Sequence, residues 1–234
     1  MDINGKKAVV FGGTSGIGLA AVRMLRDGGA EVIAISRNPD RAEPMEGVTL
    51  MACDTRDGAA VEALMQDCAP FDILVSAATG GDRAIGPFLD MDMDGFRASF
   101  DKMWGYANVV RYGAPHLSEK GAIVLVSGTP ARRIKPGQIA ISAVGGAVEA
   151  FARSVAAELA PRRINVVCPG QIDTPMVGLK GKERKDFYAR MTQTHLIPRG
   201  GTSEEVADGI LFAIRNDFIT GTTIDIDGGL LAAP

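Results

Sequence analysis

The sequence predicts a single doubly wound α/β domain built on a seven-stranded, mainly parallel sheet. Two observations carry that prediction. Seven short runs rich in β-branched residues recur along the chain, separated in most places by longer amphipathic segments. The runs are also apolar without alternation, as strands covered by helices on both faces must be.

The elements follow in order. KAVVFG (7–12) leads into a glycine-rich turn and a helical pattern over 16–28. EVIAIS (31–36) and VTLMACD (48–54) come next, then a helical pattern over 58–67. DILVSA (72–77) precedes a long helical pattern over 93–117, and AIVLVS (122–127) precedes another over 138–160. INVVCPG (164–170) is followed by patterns at 174–192 and 203–215, and TTIDID (222–227) closes the series. Such alternation with right-handed crossovers places helices on both sides of one sheet. No internal repeat or compositional break divides the 234 residues, so 1–234 is expected to form one domain. Within it, residues 171–201 mix charge, glycine and proline and are expected to form a mobile substrate flap.

A formal net charge of −3 gives no electrostatic reason to expect a nucleic acid or an anionic membrane as partner. The three cysteines, Cys53, Cys68 and Cys168, show no CxxC spacing, and His116 and His195 lie far apart, so no metal site is expected. The first residues have no apolar signal core, and no apolar run is expected to approach a membrane span. The expected location is the cytoplasm.

The first strand runs into Gly12-Gly13-Thr14-Ser15-Gly16-Ile17-Gly18, with a helix behind it. Glycines there let the backbone turn tightly and approach a pyrophosphate, while the helix N-terminus supplies unpaired N–H groups. The second strand ends in Ser36-Arg37. An acidic residue at that point would hold the ribose 2′-OH of NAD; a small residue followed by Arg suits the 2′-phosphate of NADP(H). Arg41 is a second candidate for that phosphate, and a solvated strand-end charge is the alternative for Arg37.

These motifs, with Cys53-Asp54 after the third strand, CPGQIDTPM (168–176) and TGTTIDIDGG (220–229), resemble the short-chain dehydrogenase/reductase family in order and spacing. The resemblance runs from residue 5 to about 230 and implies a Rossmann-like fold. It implies that Asp54 and Thr55 border the adenine and that Ala77 and Ala78 approach the cofactor. It also implies that Pro169, Gly170, Ile172 and Thr174 meet the nicotinamide carboxamide. Phe11 stands where the family usually has Thr, and Ser76-Ala77-Ala78-Thr79 where it has Asn-Asn-Ala-Gly.

The family's catalytic groups are a Tyr, a Lys four residues on, a Ser and an Asn. By the resemblance, those positions fall on Ile141, Gly145, Gly128 and Lys102, so all four groups are absent where they are expected. The chain's only tyrosines are Tyr106, Tyr112 and Tyr188, so a shifted alignment does not restore the Tyr. Lys102 is a candidate proton donor whose stem would reach into the space left by Gly145, a solvated or interface lysine being the alternative. Tyr106, one turn later, is a weaker candidate than a packed aromatic. Ser127 is the remaining strand-end hydroxyl for a substrate carbonyl, although strand alternation can turn it elsewhere. Arg132, with Arg133 beside it, is a candidate clamp for a substrate carboxylate or phosphate. Tyr188 and His195 lie in the flap.

Three readings stay open: an NADP(H)-dependent oxidoreductase acting on a small-molecule carbonyl, alcohol or activated double bond; an isomerase, lyase or cyclase on the same fold; and a nucleotide-binding protein without turnover. The family's use of the helices at 93–117 and 138–160 implies a homodimer or homotetramer, with Gly145, Gly146 and Ala147 admitting a partner helix.

Overall fold

The computed structural model describes residues 1–79, 83–133 and 135–233. Seven strands form one sheet: β1 (Lys7–Phe11), β2 (Glu31–Ser36), β3 (Val48–Ala52), β4 (Phe71–Ser76), β5 (Leu117–Val126), β6 (Arg163–Pro169) and β7 (Thr223–Ile226). Their order is β3-β2-β1-β4-β5-β6-β7, and every pairing is parallel. Continuous apolarity has its expected cause. In β1, Val9 and Phe11 face one core while Ala8 and Val10 face the other.

Helices α1 (Gly16–Asp27) and α7 (Ser203–Arg215) contribute to one of those cores. Helices α2 (Gly58–Cys68), α4 (Asp101–Gly113) and α5 (Ile139–Leu159) contribute to the other. Two short helices complete the set, α3 (Met93–Ser99) and α6 (Gly181–Met191).

The expected single helix over 93–117 is divided. Phe100 ends α3 and begins α4, its N–H donating to the Arg97 carbonyl at 2.9 Å in a tightened final turn. Pro115 lies in a 3-10 turn over Ala114–His116, where it supplies no N–H to continue the helix. Leu117 then belongs to β5, which starts earlier than the apolar run suggests and pairs with Phe71 across a register shift.

Helix α5 also corrects an expectation. Its 21 residues are long and apolar enough to cross a membrane by length and composition, with mean hydropathy 1.4 over the window. Here Val148, Ala152 and Ala156 pack in the core beside the sheet.

The segment 171–201 is pinched at its base, where Ile172 and Gly201 form a parallel bridge and the Asp173 N–H donates to the Gly201 carbonyl at 2.7 Å. Inside it, α6 is tied back to the incoming loop. Tyr188 donates its hydroxyl to the Ile172 carbonyl at 3.0 Å, and Arg184 donates to the Thr174 carbonyl at 2.8 Å and pairs with Asp173. The expected helix over 174–192 is therefore a 3-10 turn at Pro175–Val177 followed by α6.

Helix α7 begins with a reciprocal cap. Thr202 accepts from the Glu205 N–H at 3.1 Å, and the Glu205 carboxylate accepts from the Thr202 N–H at 2.8 Å. Both satisfy backbone donors that have no partner within the helix. Thr202→Ala should lower unfolding free energy by about 1 kcal/mol in urea melts, with an unchanged denaturant slope because the packed face of α7 is untouched.

Candidate active site

Strand order reverses between β1 and β4, and in open parallel sheets a crevice forms beyond the carboxyl ends at such a point. A cleft of about 1110 Å³ opens there. That is slightly larger than the roughly 300–1,000 Å³ of ordinary ligand sites. Gly12, Thr14, Ser15, Gly16, Ile17, Gly18, Ser36, Arg37, Asp54, Thr55, Ala77, Ala78, Pro169, Gly170, Ile172 and Thr174 all border it, as do Lys102 and Ser127.

Close backbone approach shapes the phosphate-loop side. Gly12 has φ +75°, and a Cβ there would lie 2.7 Å from the Ala78 amide nitrogen, so no other residue fits without displacing 77–78. Ser15 caps α1 without a side-chain hydrogen bond, leaving first-turn amides for a ligand. Ser36 Oγ is buried at the cleft wall and has no hydrogen-bond partner. An unsatisfied hydroxyl beside the exposed Arg37 fits an anionic group at the end of β2. Asp54 is held by Arg56, with Nη2 to Oδ2 at 2.6 Å. That hydrogen-bonded guanidinium lowers the Asp54 carboxyl to about 2, and Arg37 contributes a smaller effect in the same direction.

The other side of the cleft is built from α4, the end of β5 and α5. Lys102 on α4 donates to the Ser127 carbonyl at 3.3 Å, and its ammonium sits 5.4 Å from the Tyr106 ring centroid. Burial pushes the Lys102 pKa down to about 7, and the nearby charge of Arg83 pushes it the same way. Tyr106 is 1% exposed, donates to the Val126 carbonyl at 3.1 Å and is raised above the usual phenol range by burial. It is a packed aromatic.

Ile141 and Gly145 both border the cleft, as does Gly128. The expected opening at Gly145 is taken up at its Cβ position. A Cβ at Gly145 would come within 2.9 Å of the Ala131 Cβ, because the 3-10 turn over Thr129–Ala131 packs against α5 there. Lys102 reaches the Ser127 carbonyl at the end of β5. The Cβ direction at Gly145 thus meets this turn, whereas a Cβ at Gly146 would meet nothing within 4 Å.

Ser127 turns its hydroxyl away from a substrate role. It donates to Glu149 Oε1 of α5 at 3.1 Å. Arg132 is corrected more firmly. It does not border the cleft; its guanidinium is shared between Glu149, at 3.3 Å from Nε, and Asp225 of β7, at 3.0 Å from Nη1. Two carboxylates satisfy it, so it ties the turn after β5 to α5 and β7. Arg133 borders the cleft instead, as do Arg83, Lys135 and His195. Tyr188 does not border it; its hydroxyl is held by the Ile172 carbonyl within the 171–201 segment.

Arg83 has no signal in the sequence, because the stretch between β4 and α3 has no periodicity to place it. Glu149 carries a usable signal, being the one charged residue of the stretch from Gly137 to Phe151.

Comparison with known proteins defines the class. A family profile described as enoyl-(acyl carrier protein) reductase matches residues 12–231. L-xylulose reductase of Mus musculus is 30% identical, with 99% of each chain covered. Galactitol 2-dehydrogenase of Rhizobium johnstonii is 34% identical over 97% of this chain and 95% of its own. Among solved structures, aldohexose dehydrogenase of Thermoplasma acidophilum aligns with a TM-score of 0.90 at 27% identity, covering 100% of this chain and 96% of that one. A small-chain dehydrogenase in complex with NADPH aligns at 0.83 and 28%, covering 98% and 100%. The chain belongs to the short-chain dehydrogenase/reductase superfamily.

The Gly145 contact can be tested directly. Gly145→Ala should cost about 1–3 kcal/mol in urea unfolding, because the added methyl must displace the Thr129–Ala131 turn.

Proposed function

We propose that this protein is an NADP(H)-dependent oxidoreductase that reduces a carbonyl or activated double bond of a small molecule, with Lys102 as proton donor. The observation that carries the reading is a desolvated amine at the same cleft as an intact phosphate loop. The superfamily's relatives support it, since one is a carbonyl reductase with NADPH in its name, 29% identical in Sus scrofa.

On this reading the loop from Gly12 to Gly18 and the start of α1 hold the pyrophosphate. Ser36 and Arg37 take the 2′-phosphate, Asp54 and Thr55 border the adenine, and Pro169, Gly170, Ile172 and Thr174 face the nicotinamide end. The bound dinucleotide supplies the hydride. The protein's part is to hold the substrate, exclude water and deliver a proton. Lys102 Nζ gives its proton to the developing alkoxide or carbanion, leaving a neutral amine that solvent reprotonates. With a pKa near 7 it carries that proton in a useful fraction of molecules at neutral pH.

Tyr106 is excluded as donor by its burial and its bond to Val126. The Ser127 hydroxyl is engaged by Glu149, so Ser127 contributes its backbone carbonyl, which positions the amine. The four catalytic groups of the wider family are absent from Ile141, Gly145, Gly128 and Lys102 on this reading, and the chemistry is rearranged around the Lys102 amine. The proposal also includes a cytoplasmic location and a homo-oligomer formed through the exposed faces of α4 and α5, where Trp104 is 67% exposed.

NADPH consumption with a carbonyl panel tests the reading. Tight NADPH binding without consumption across ketones, aldehydes, imines and enones would leave a nucleotide-binding protein without turnover. Lys102→Met should lower kcat by about 10²–10⁴-fold. In the wild type, reduction should fall as pH rises through about 7, where Lys102 loses its proton, and Lys102→Met should abolish that limb. Arg37→Asp should move the kcat/KM preference from NADPH towards NADH; an unchanged ratio would remove Arg37 from cofactor selection.

A further inference from the structure

The lining of the cleft is strongly one-signed. The chain as a whole holds 28 acidic and 25 basic side chains. Yet among the described residues around the cleft, Asp54 is the single carboxylate, and Arg56 already holds it. On the Lys102 side the cleft is bordered by Arg83, Arg133 and Lys135 with no acidic side chain at all.

We propose that this side of the cleft recognises an anionic substrate, a carbonyl compound bearing a carboxylate or phosphate that Arg83, Arg133 and Lys135 grip. The proposal rests on the reductase reading of the same site and names the substrate class for it.

Two loops deliver these cations together. The loop carrying Arg83 is anchored where the Ala84 N–H donates to Ser99 Oγ at 2.9 Å. It is then joined to the loop carrying Lys135 by the Gly86 N–H, which donates to the Gly137 carbonyl at 3.0 Å. Arg133 is steadied by donating to the Leu230 carbonyl, a contact that orients the guanidinium without neutralising it. The contrast with its neighbour is instructive: Arg132 has two carboxylates and faces away, while Arg133 has none and borders the cleft. Among the described residues no carboxylate pairs with Arg83, Arg133 or Lys135.

Like charges gathered without a counter-ion are unfavourable, and the strain registers on their neighbours. Arg83 pushes the Lys102 ammonium down, after burial, and Arg133 does the same to the buried His195 imidazole. A bound anion relieves that repulsion, and a planar guanidinium suits both carboxylate and phosphate. The dinucleotide does not account for these groups, because its phosphates are met on the other side by the Gly12–Gly18 loop and Arg37.

The test compares matched pairs differing in charge: 2-, 3- and 4-oxo acids beside their methyl esters, and dihydroxyacetone phosphate beside dihydroxyacetone. Binding to the NADP⁺-saturated protein is measured by calorimetry, and NADPH consumption is measured separately. One anionic series should bind at least tenfold tighter than its neutral partners, and the series that does so tells carboxylate from phosphate. The preference should shrink as salt rises from 50 to 500 mM. Arg133→Met and Arg83→Met should each remove most of it, with Arg133→Lys retaining part, and thermal melts confirm that each variant is folded. Equal affinity for acid and ester, or no anion bound in either series, overturns the proposal. Anion-selective binding without NADPH consumption would overturn the reductase reading and leave the anion site standing. Equal reduction of charged and neutral partners would do the reverse.

Discussion

Every strand pairing in this sheet is parallel, and that constraint organises the molecule. Parallel neighbours need crossovers, so each strand hands its chain to the same edge before a crossover carries it back. The loops after β1, β2, β4, β5 and β6 therefore converge on one rim. Where strand order reverses between β1 and β4, those loops part and leave the cleft. Two glycine contacts then set its walls: Gly12 lies against Ala78, and Gly145 lies against Ala131. Neither site has room for a Cβ, so the walls are fixed by backbone approach.

A second layer of order comes from charge. Behind the rim, Glu149, Arg132, Asp225 and the Ser127 hydroxyl satisfy one another and lock the turn after β5 to α5 and β7. In front of it, Lys102, Arg83 and Arg133 face the cleft with no matching carboxylates among the described residues. The same turn thus separates a closed ionic network from an open one.

Most of the fold was legible because its signals are local. Continuous apolar strands, a glycine turn before a helix and the Ser36-Arg37 strand end each announce themselves within a few residues. Where the sequence misled, a longer-range contact decided. The early start of β5 depends on the pairing of Leu117 with Phe71, 46 residues earlier. Arg132 and Arg133 are adjacent and alike in sequence, and only Glu149 and Asp225, 17 and 93 residues from Arg132, tell them apart. The space at Gly145 looked vacant because a missing side chain leaves no trace of the turn that packs into it. The Lys102 position was readable from the resemblance, but its partner, the Ser127 carbonyl, was not.

The half-buried amine of Lys102 at the cleft is expected to titrate near neutrality. The most direct measurement is an NMR titration of the protein with ¹³C-labelled lysine, following the Lys102 ¹³Cε shift, assigned by comparison with Lys102→Arg. The expected midpoint for this one lysine is near pH 7, against about 10.4 for ordinary lysines. A Lys102 signal that titrates with the ordinary lysines would contradict it.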